Sequence, residues 1–242
     1  MLHWLVNAKI VLATGNPHKV EEMRAILAGV AHGAGVEVVG LRDLPGGDRL
    51  PEPSETGLTF EANASIKALE YARATGRWCL ADDSGLEVDA LGGSPGVISS
   101  HYSSDGRETG MSRSERDAAN NARLLRELEG VPPERRTARF VCMMALARPG
   151  YGPHQRPEVV ALARGTFEGR IGLPGPPPVG VPRGAHGFGY DPLFLVAPEF
   201  ARTSAEFEPI EKNRLSHRAR AGEQMSERIR ALAREISPAA AP

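Results

Sequence analysis

The 242-residue sequence has few cysteines, few aromatic residues and almost no net charge. Its two cysteines, Cys79 and Cys142, lie in apolar runs without metal-ligand spacing, which predicts buried, reduced thiols rather than disulfides or a zinc site. The formal net charge of −1 offers no basic surface for DNA or RNA, so we expect no nucleic-acid partner.

Long hydrophobic runs are also missing. No apolar stretch approaches the roughly 18 residues that a membrane-spanning helix needs, so we expect no membrane association. The first residues lack the basic region and the long apolar region of a signal peptide. These absences lead us to expect a cytoplasmic location. The length predicts one large domain or a single two-lobed unit over residues 1–236, and the Ala/Pro composition predicts a frayed tail at 237–242.

The most informative stretch is an acidic one at residues 80–88. The apolar run 78–81 predicts a buried strand that ends at a sharp polar turn, Asp82-Asp83-Ser84-Gly85. Adjacent carboxylates are costly to ionise unless a cation or hydrogen-bond donors compensate them. A hard, oxygen-preferring ion such as Mg²⁺ is the economical compensation, and a solvated surface turn is the alternative.

A candidate anion site lies near the start of the chain. The strand 9–13 leads into Thr14-Gly15-Asn16-Pro17-His18-Lys19, where Asn16 suits a helix N-cap and Pro17 the first helical position. Free backbone N–H groups at a helix start, with Lys19 beside them, favour phosphate oxygens. The Gly-Lys-Ser/Thr ending of a Walker A loop is absent.

Further polar residues point to a nucleotide. Lys67, on a predicted helix capped by Thr59, either points into a cleft or is an ordinary surface lysine. Two glycines flank aromatic residues in the segment 187–192, which either exposes a ring for base stacking or plugs the core. Three cations cluster near the predicted start of the last helix, where the helix dipole does not favour them, and so indicate an anionic ligand. They are Lys212, His217 and Arg218.

Taken in order, these motifs closely resemble the inosine triphosphate pyrophosphatase family over roughly residues 9–235. The motifs are Thr14-Gly15-Asn16-x-x-Lys19, Glu55-Thr56-Gly57-x-Thr59-Phe60, Ala81-Asp82-Asp83-Ser84-Gly85-Leu86, Phe188-Gly189-Tyr190-Asp191-Pro192 and Ser216-His217-Arg218. The resemblance implies an elongated α/β fold with a mixed central β-sheet flanked by helices, an active site in the cleft between two lobes, and a homodimer. Family members hydrolyse deaminated purine nucleoside triphosphates (ITP, dITP, XTP) to the monophosphate and pyrophosphate.

The resemblance also implies roles for individual residues. Glu55 and Asp83 hold Mg²⁺, the implied cofactor, and Asp83 is the base for the attacking water. Ser84 contacts the substrate and Phe188 stacks on the base. The remaining substrate-binding residues, for the triphosphate and for the nucleotide pocket, are Thr14, Gly15, Asn16, Pro17, His18, Lys19, Lys67, Gly189, Tyr190, Asp191, Lys212, His217 and Arg218. Because neighbours in an extended segment point to opposite sides, Asp82 is a supporting residue. With an ordinary pKa near 4, Asp83 is expected to be ionised and only a weak base.

The sequence departs from the family pattern at a few places. Ala62 replaces an acidic residue after Phe60, and Ser100-His101 replaces an Ala-Arg pair and so removes a permanent cation. The proline-rich loop at 173–182 is longer than the family needs. Two rival functions stay open: a related Maf-like pyrophosphatase acting on other nucleotides, and a nucleotide-binding regulator without turnover.

Overall fold

The computed structural model describes residues 9–15, 17–34, 36–150, 152 and 154–236. The described strands are β1 Lys9–Leu12, β2 Glu37–Gly40, β3 Trp78–Val88, β4 Thr137–Arg148, β5 Glu158–Ile171 and β6 Phe194–Val196. The described α-helices are α1 Pro17–Ala34, α2 Phe60–Thr75, α3 Arg113–Glu127, α4 Pro209–Leu215 and α5 His217–Ile236. The predicted cap Asn16 and the predicted tail 237–242 lie outside the described residues.

The strands form a mixed sheet with the order β2-β1-β3-β4-β5-β6. β1 pairs in parallel with β2 and with β3, whereas β5 pairs antiparallel with β6. Helices connect the parallel strands, as crossover connections require. The expected α/β class with a mixed sheet and flanking helices is confirmed.

The chain forms two compact units. Unit 1 comprises residues within 1–83, 142–165 and 218–242, and unit 2 comprises residues within 84–141 and 166–217. In unit 1 the strand residues Ile10 and Leu80 are buried with Met23 of α1 and Met225 of α5. Helices α1 and α5 approach closely at Gly222 of α5. A Cβ atom at this position would lie 2.2 Å from Cγ2 of Ile26 in α1.

Unit 2 has its own apolar core, which is rich in aromatic rings. The ring of Phe194 lies 4.6 Å from that of Phe140 and 5.7 Å from that of Phe167, between centroids. Leu124 of α3 and Leu128, the residue that follows the helix, are both fully buried. The buried aromatic residues of this core are Tyr102, Phe140, Phe167, Tyr190, Phe194 and Phe207.

Two predictions about secondary structure are wrong. The run 78–81 does not end at a turn, because β3 continues through Asp82, Asp83 and Ser84 to Val88. The carboxylates are tolerated inside the strand because cations from other elements pair with them, as described below. The single C-terminal helix is two helices, α4 and α5, interrupted at the buried Ser216, whose backbone is extended.

Within the described ranges, no helix is both long enough and apolar enough to cross a membrane.

Candidate active site

Strand β3 gives its two adjacent acids different partners. Oδ1 of Asp82 lies 3.2 Å from Nζ of Lys19, and Oδ2 accepts a hydrogen bond from Nε of Arg218 at 3.4 Å. Oδ1 of Asp83 instead lies 3.2 Å from Nζ of Lys67. Alternation along an extended strand sends neighbouring side chains to opposite faces. The two carboxylates therefore have separate partners: Lys19 and Arg218 for Asp82, and Lys67 for Asp83.

Lys67 lies between two carboxylates, which we call the acid–lysine cluster: Glu55, Lys67 and Asp83. Its Nζ donates to Oε1 of Glu55 at 2.7 Å and to Oδ1 of Asp83 at 3.2 Å. The lysine side chain is only 7 % exposed, so it is not an ordinary surface lysine. The structure thus brings together three of the residues that the resemblance assigned to metal and triphosphate binding.

The loop that carries Glu55 is fixed to the start of α2. Thr59 caps the helix, accepting the backbone N–H of Ala62 at 3.1 Å, and Gly57 donates its N–H to Oδ1 of Asn63 at 2.7 Å. A Cβ atom on Gly57 would lie 2.6 Å from both Ala62 and Asn63, so only glycine fits there. The cap forms although Ala62 supplies no acidic partner for a capping box.

The pKa values of the two acids shift in opposite directions. Burial raises the pKa of Asp83 above its ordinary value, and the charge of Lys67 offsets this only in part. Burial would also raise the pKa of Asp82, but Lys19 and Arg218 outweigh it and hold that pKa well below its usual range. The expectation of an ordinary pKa for Asp83 is therefore wrong, because the side chain is buried rather than solvated.

Lys67 remains a cation in this setting. Burial alone would lower its pKa, but the negative charges of Asp83, Asp82 and Glu55 outweigh burial and raise the pKa above its ordinary value. The cluster accordingly holds one fixed positive charge against two carboxyl groups.

The cluster fits a magnesium ion by the chemistry of its donors. Oδ2 of Asp83 is buried and has no hydrogen-bond partner, and the Glu55 side chain is 37 % exposed. Among the described residues, no group of three or more His, Cys, Asp or Glu side chains is placed to hold a metal. Mg²⁺ needs fewer, because it is usually bound by one or two carboxylates, with water and substrate phosphates completing its shell.

The predicted phosphate loop joins β1 to α1. Gly15 is exposed, Thr14 is half-buried and Lys19 lies in the first turn of α1, where backbone N–H groups are free. Lys19 is paired with Asp82 rather than extended into solvent. Asn16 is outside the described residues, and for Pro17 and His18 the structure describes only their place in α1.

Arg218 is more deeply buried than a ligand-binding arginine at a surface would be. Its guanidinium donates to Glu22 of α1 at 2.9 Å and to Asp82 at 3.4 Å, and its side chain is 5 % exposed. It therefore ties α5 to α1 and β3. Its predicted role in the nucleotide pocket stays a prediction.

Residues 187–191 of unit 2, which we call the aromatic loop, were expected either to expose a ring for base stacking or to fill the core. Phe188 is 40 % exposed, whereas Tyr190 is buried and donates its hydroxyl to the carbonyl of Ser99 at 2.7 Å. Oδ2 of Asp191 accepts the N–H of Phe188 at 2.9 Å and also contacts Nζ of Lys212. The Tyr190 ring is therefore buried in the core, and the Phe188 ring is exposed to solvent.

The remaining site residues of unit 2 lie apart from the aromatic loop in the sequence. His217 is buried, with its ring stacked on Phe140 at 5.3 Å between centroids and 20° between planes. Ser84 is half-buried in β3. Lys212 belongs to α4 and lies 5.6 Å above the ring of Phe188, so the predicted cation cluster is divided among several partners.

Comparison with known proteins decides the family. The model of the Ham1 family matches residues 10–228. The chain belongs to the Ham1 family. It is 47 % identical over 217 residues to the dITP/XTP pyrophosphatase of Nitratidesulfovibrio vulgaris, covering 90 % of this chain and 93 % of the relative. The enzyme of the same name from Geobacillus kaustophilus is 46 % identical, with the same coverage. The resemblance stated from the sequence is confirmed.

Solved structures agree with this assignment. A HAM1 protein from Coxiella burnetii superposes with a TM-score of 0.72 at 36 % identity, covering 92 % of this chain and 98 % of that one. A nucleoside-triphosphatase, dITP/XTP pyrophosphatase, from Mycobacterium abscessus gives a TM-score of 0.61 at 40 % identity, with coverages of 93 % and 97 %.

The departures from the Ham1 pattern have structural counterparts. His101 replaces the expected arginine, but Nη1 of Arg116 lies 3.1 Å from its Nε2, and Glu108 lies 3.0 Å from the same atom. Helix α3 thus brings a guanidinium beside the position that lost one. The proline-rich loop closes on itself through a hydrogen bond from the N–H of Val181 to the carbonyl of Leu173 at 2.9 Å.

Sequence reasoning missed the residues that hold the aromatic loop. Asp117 and Asn121 of α3 bind the two backbone groups of Gly189, and the guanidinium of Arg113 lies 4.5 Å from the centroid of Phe188. Their signal was available, since residues four apart share one face of a helix. The contacts themselves were not predictable locally, because Asn121 and Asp117 lie 68 and 72 positions from Gly189 in the chain.

Proposed function

We propose that this Ham1 protein hydrolyses deaminated purine nucleoside triphosphates, namely ITP, dITP, XTP and dXTP, to the monophosphate and pyrophosphate. This activity removes hypoxanthine and xanthine nucleotides before they enter DNA or RNA. The enzyme class, a nucleoside triphosphate pyrophosphohydrolase, is confirmed by the curated relatives. The observation that carries the proposal is the acid–lysine cluster, in which a buried oxygen of Asp83 has no partner.

In the proposed reaction, Glu55 and Asp83 would hold the Mg²⁺ ion through their carboxylate oxygens. The bound ion supplies neutralisation of phosphate charge and a more acidic, oriented water. Asp83 accepts a proton from the attacking water as the water oxygen bonds to the α-phosphorus. The P–O bond to pyrophosphate breaks, and the nucleoside monophosphate and pyrophosphate leave.

The cations of unit 1 balance the phosphate charge. Nζ of Lys67 lies 2.7 Å from Oε1 of Glu55. Its positive charge is therefore beside any phosphate group that binds at the acid–lysine cluster. Lys19 lies in the first turn of α1, where the free N–H groups and the helix dipole favour phosphate oxygens. Such preorganised positive groups stabilise charge that develops during phosphoryl transfer.

Recognition of the base is assigned to unit 2. The exposed ring of Phe188 offers a face for stacking, which contributes about 1–3 kcal/mol per base. A hydrogen-bond donor aimed at the 6-keto oxygen of hypoxanthine or xanthine meets an amino group in adenine, and unpaired buried groups then reject ATP by about 10⁴-fold. Ser84, Tyr190, Lys212 and His217 complete the proposed substrate site. We also propose a cytoplasmic homodimer, in line with the family resemblance.

A triphosphate panel tests the proposal. Purified protein with Mg²⁺ is given dITP, XTP, GTP, ATP, dTTP and UTP in parallel, and ³¹P NMR identifies the products. We expect pyrophosphate from dITP and XTP, with little turnover of ATP. Release of inorganic phosphate instead of pyrophosphate would show that the protein is not a pyrophosphohydrolase. Preference for dTTP or UTP would favour the Maf-like alternative, and tight dITP binding without turnover would favour the regulator.

A further inference from the structure

We propose that one face of helix α3, carrying Arg113, Asp117 and Asn121, positions the aromatic loop so that Phe188 is fixed for base recognition. The three residues are spaced by four and so lie in a row along the helix. This inference rests on the proposed function, because it assigns these side chains to the substrate preference of the same site. They do not touch the reacting atoms, so they are positioning residues.

The strongest support is a pair of hydrogen bonds to a single residue of the loop. Oδ2 of Asp117 accepts the N–H of Gly189 at 3.0 Å, and Nδ2 of Asn121 donates to the carbonyl of Gly189 at 3.0 Å. Both backbone polar groups of Gly189 are therefore held by side chains of one rigid helix. With φ at 61°, Gly189 has a left-handed backbone that glycine adopts readily and other residues rarely do.

The residues beside Gly189 are held as well. The guanidinium of Arg113 lies over the Phe188 ring, with Cζ 4.5 Å from the centroid. On the other side of the loop, Tyr190 is anchored in the core through Ser99, and Asp191 accepts the N–H of Phe188. Phe188 is thus an exposed ring on a backbone that is fixed at each neighbouring position.

Such fixation matters for binding more than for chemistry. Stacking a base on a ring that is already ordered avoids the entropy cost of ordering the loop during binding. Loss of one of the two bonds to Gly189 should therefore weaken nucleotide binding and leave the acid–lysine cluster in unit 1 unchanged. A purely structural role would instead lower stability without changing the Michaelis constant.

Four variants test the positioning role. Asp117→Ala and Asn121→Leu each remove one bond to Gly189, whereas Asp117→Asn keeps an oxygen that can accept the Gly189 N–H. Arg126→Ala, at an exposed position on the same helix, is the matched control. For the first two variants we expect KM for dITP to rise about tenfold, with kcat changed less than about twofold. Asp117→Asn and Arg126→Ala should keep wild-type KM.

Amide hydrogen exchange gives a readout that does not depend on turnover. In Asp117→Ala and Asn121→Leu, exchange at residues 188–190 should be faster than in the wild type and in Arg126→Ala. Unchanged exchange, or unchanged KM with faster exchange, would overturn the positioning role. If the wild type released no pyrophosphate from dITP, the proposed function would fail on its own. Protection of residues 188–190 by dITP in the presence of EDTA would then still decide whether α3 positions a base-binding loop.

Discussion

Nζ of Lys67 lies 3.2 Å from Oδ1 of Asp83, and both side chains are buried. The lysine therefore occupies one oxygen of the proposed base and leaves Oδ2 without a partner. Because the ion pair engages only Oδ1, it fixes the orientation of the Asp83 carboxylate and leaves Oδ2 for a ligand.

The first prediction concerns Asp83 as base and metal ligand. Asp83→Asn keeps the size of the side chain but removes its charge, so kcat for pyrophosphate release from dITP should fall at least about 100-fold. Binding of dITP, measured by calorimetry, should persist because the cations and Phe188 are unchanged. Glu61→Gln, an exposed acid on the first turn of α2, is the control and should keep the wild-type rate. A near-normal rate in Asp83→Asn would show that another group activates the water.

The second prediction concerns competition between Lys67 and the metal. Since Lys67 already lies between Glu55 and Asp83, it supplies the positive charge that Mg²⁺ would bring. Lys67→Met should leave two carboxyl groups unpaired and lower the free energy of unfolding by about 3–5 kcal/mol without metal. Added Mg²⁺ should then raise the melting temperature of Lys67→Met more than that of the wild type. Calorimetric melting with and without Mg²⁺ measures this.

An equal effect of Mg²⁺ on both proteins would contradict that account, because it would place the ion away from Lys67. Lys67→Arg serves as the control, since it keeps the charge and should keep the small response to Mg²⁺. Lys67→Met loses the bonds to both carboxylates, whereas Lys67→Arg keeps the charge. Comparison of the two variants therefore separates loss of charge from loss of packing.

The third prediction concerns the exposed ring of the aromatic loop. Phe188→Ala should raise KM for dITP about tenfold, because a base loses a stacking surface worth about 1–3 kcal/mol. The melting temperature should change little, since the ring is 40 % exposed. Phe200→Leu is a matched control, because Arg170 lies 4.4 Å from the centroid of Phe200 much as Arg113 does at Phe188. Steady-state kinetics in which both variants behave alike would remove Phe188 from base recognition.

The sequence predicted the fold class and the kinds of residue at the site better than it predicted which residues pair with one another. The boundaries of α2, with Thr59 as its cap, follow from local signals and are confirmed. The course of β3 was not predictable locally, since a strand rarely contains adjacent acids. Asp82 and Asp83 are compensated by Lys19, Lys67 and Arg218, which lie 63, 16 and 136 positions away in the chain. Only the folded chain brings these charges together.

The break before α5 escaped prediction for a related reason. Neither proline nor glycine marks the position, and helical spacing continues on both sides of Ser216. The break separates Lys212, which contacts Asp191, from Arg218, which binds Glu22 and Asp82. A pattern that looked like one cation cluster on one helix is in fact two unrelated sets of ion pairs.

The fourth prediction concerns Arg218, whose role the structure and the family resemblance suggest differently. Its guanidinium pairs with the half-buried Glu22 and the buried Asp82, so Arg218→Met removes this partner from Glu22 and leaves Asp82 with Lys19 alone among its cations described above. We expect the free energy of unfolding to fall by about 3–5 kcal/mol. Arg218→Lys should recover only part of this loss, because a single ammonium on a shorter stem cannot make the divided contacts of a guanidinium. Urea unfolding of both variants measures the effect, with Arg228→Met, at an exposed position of α5, as the control. A large rise in KM for dITP with unchanged stability would instead place Arg218 on the nucleotide, as the resemblance implies.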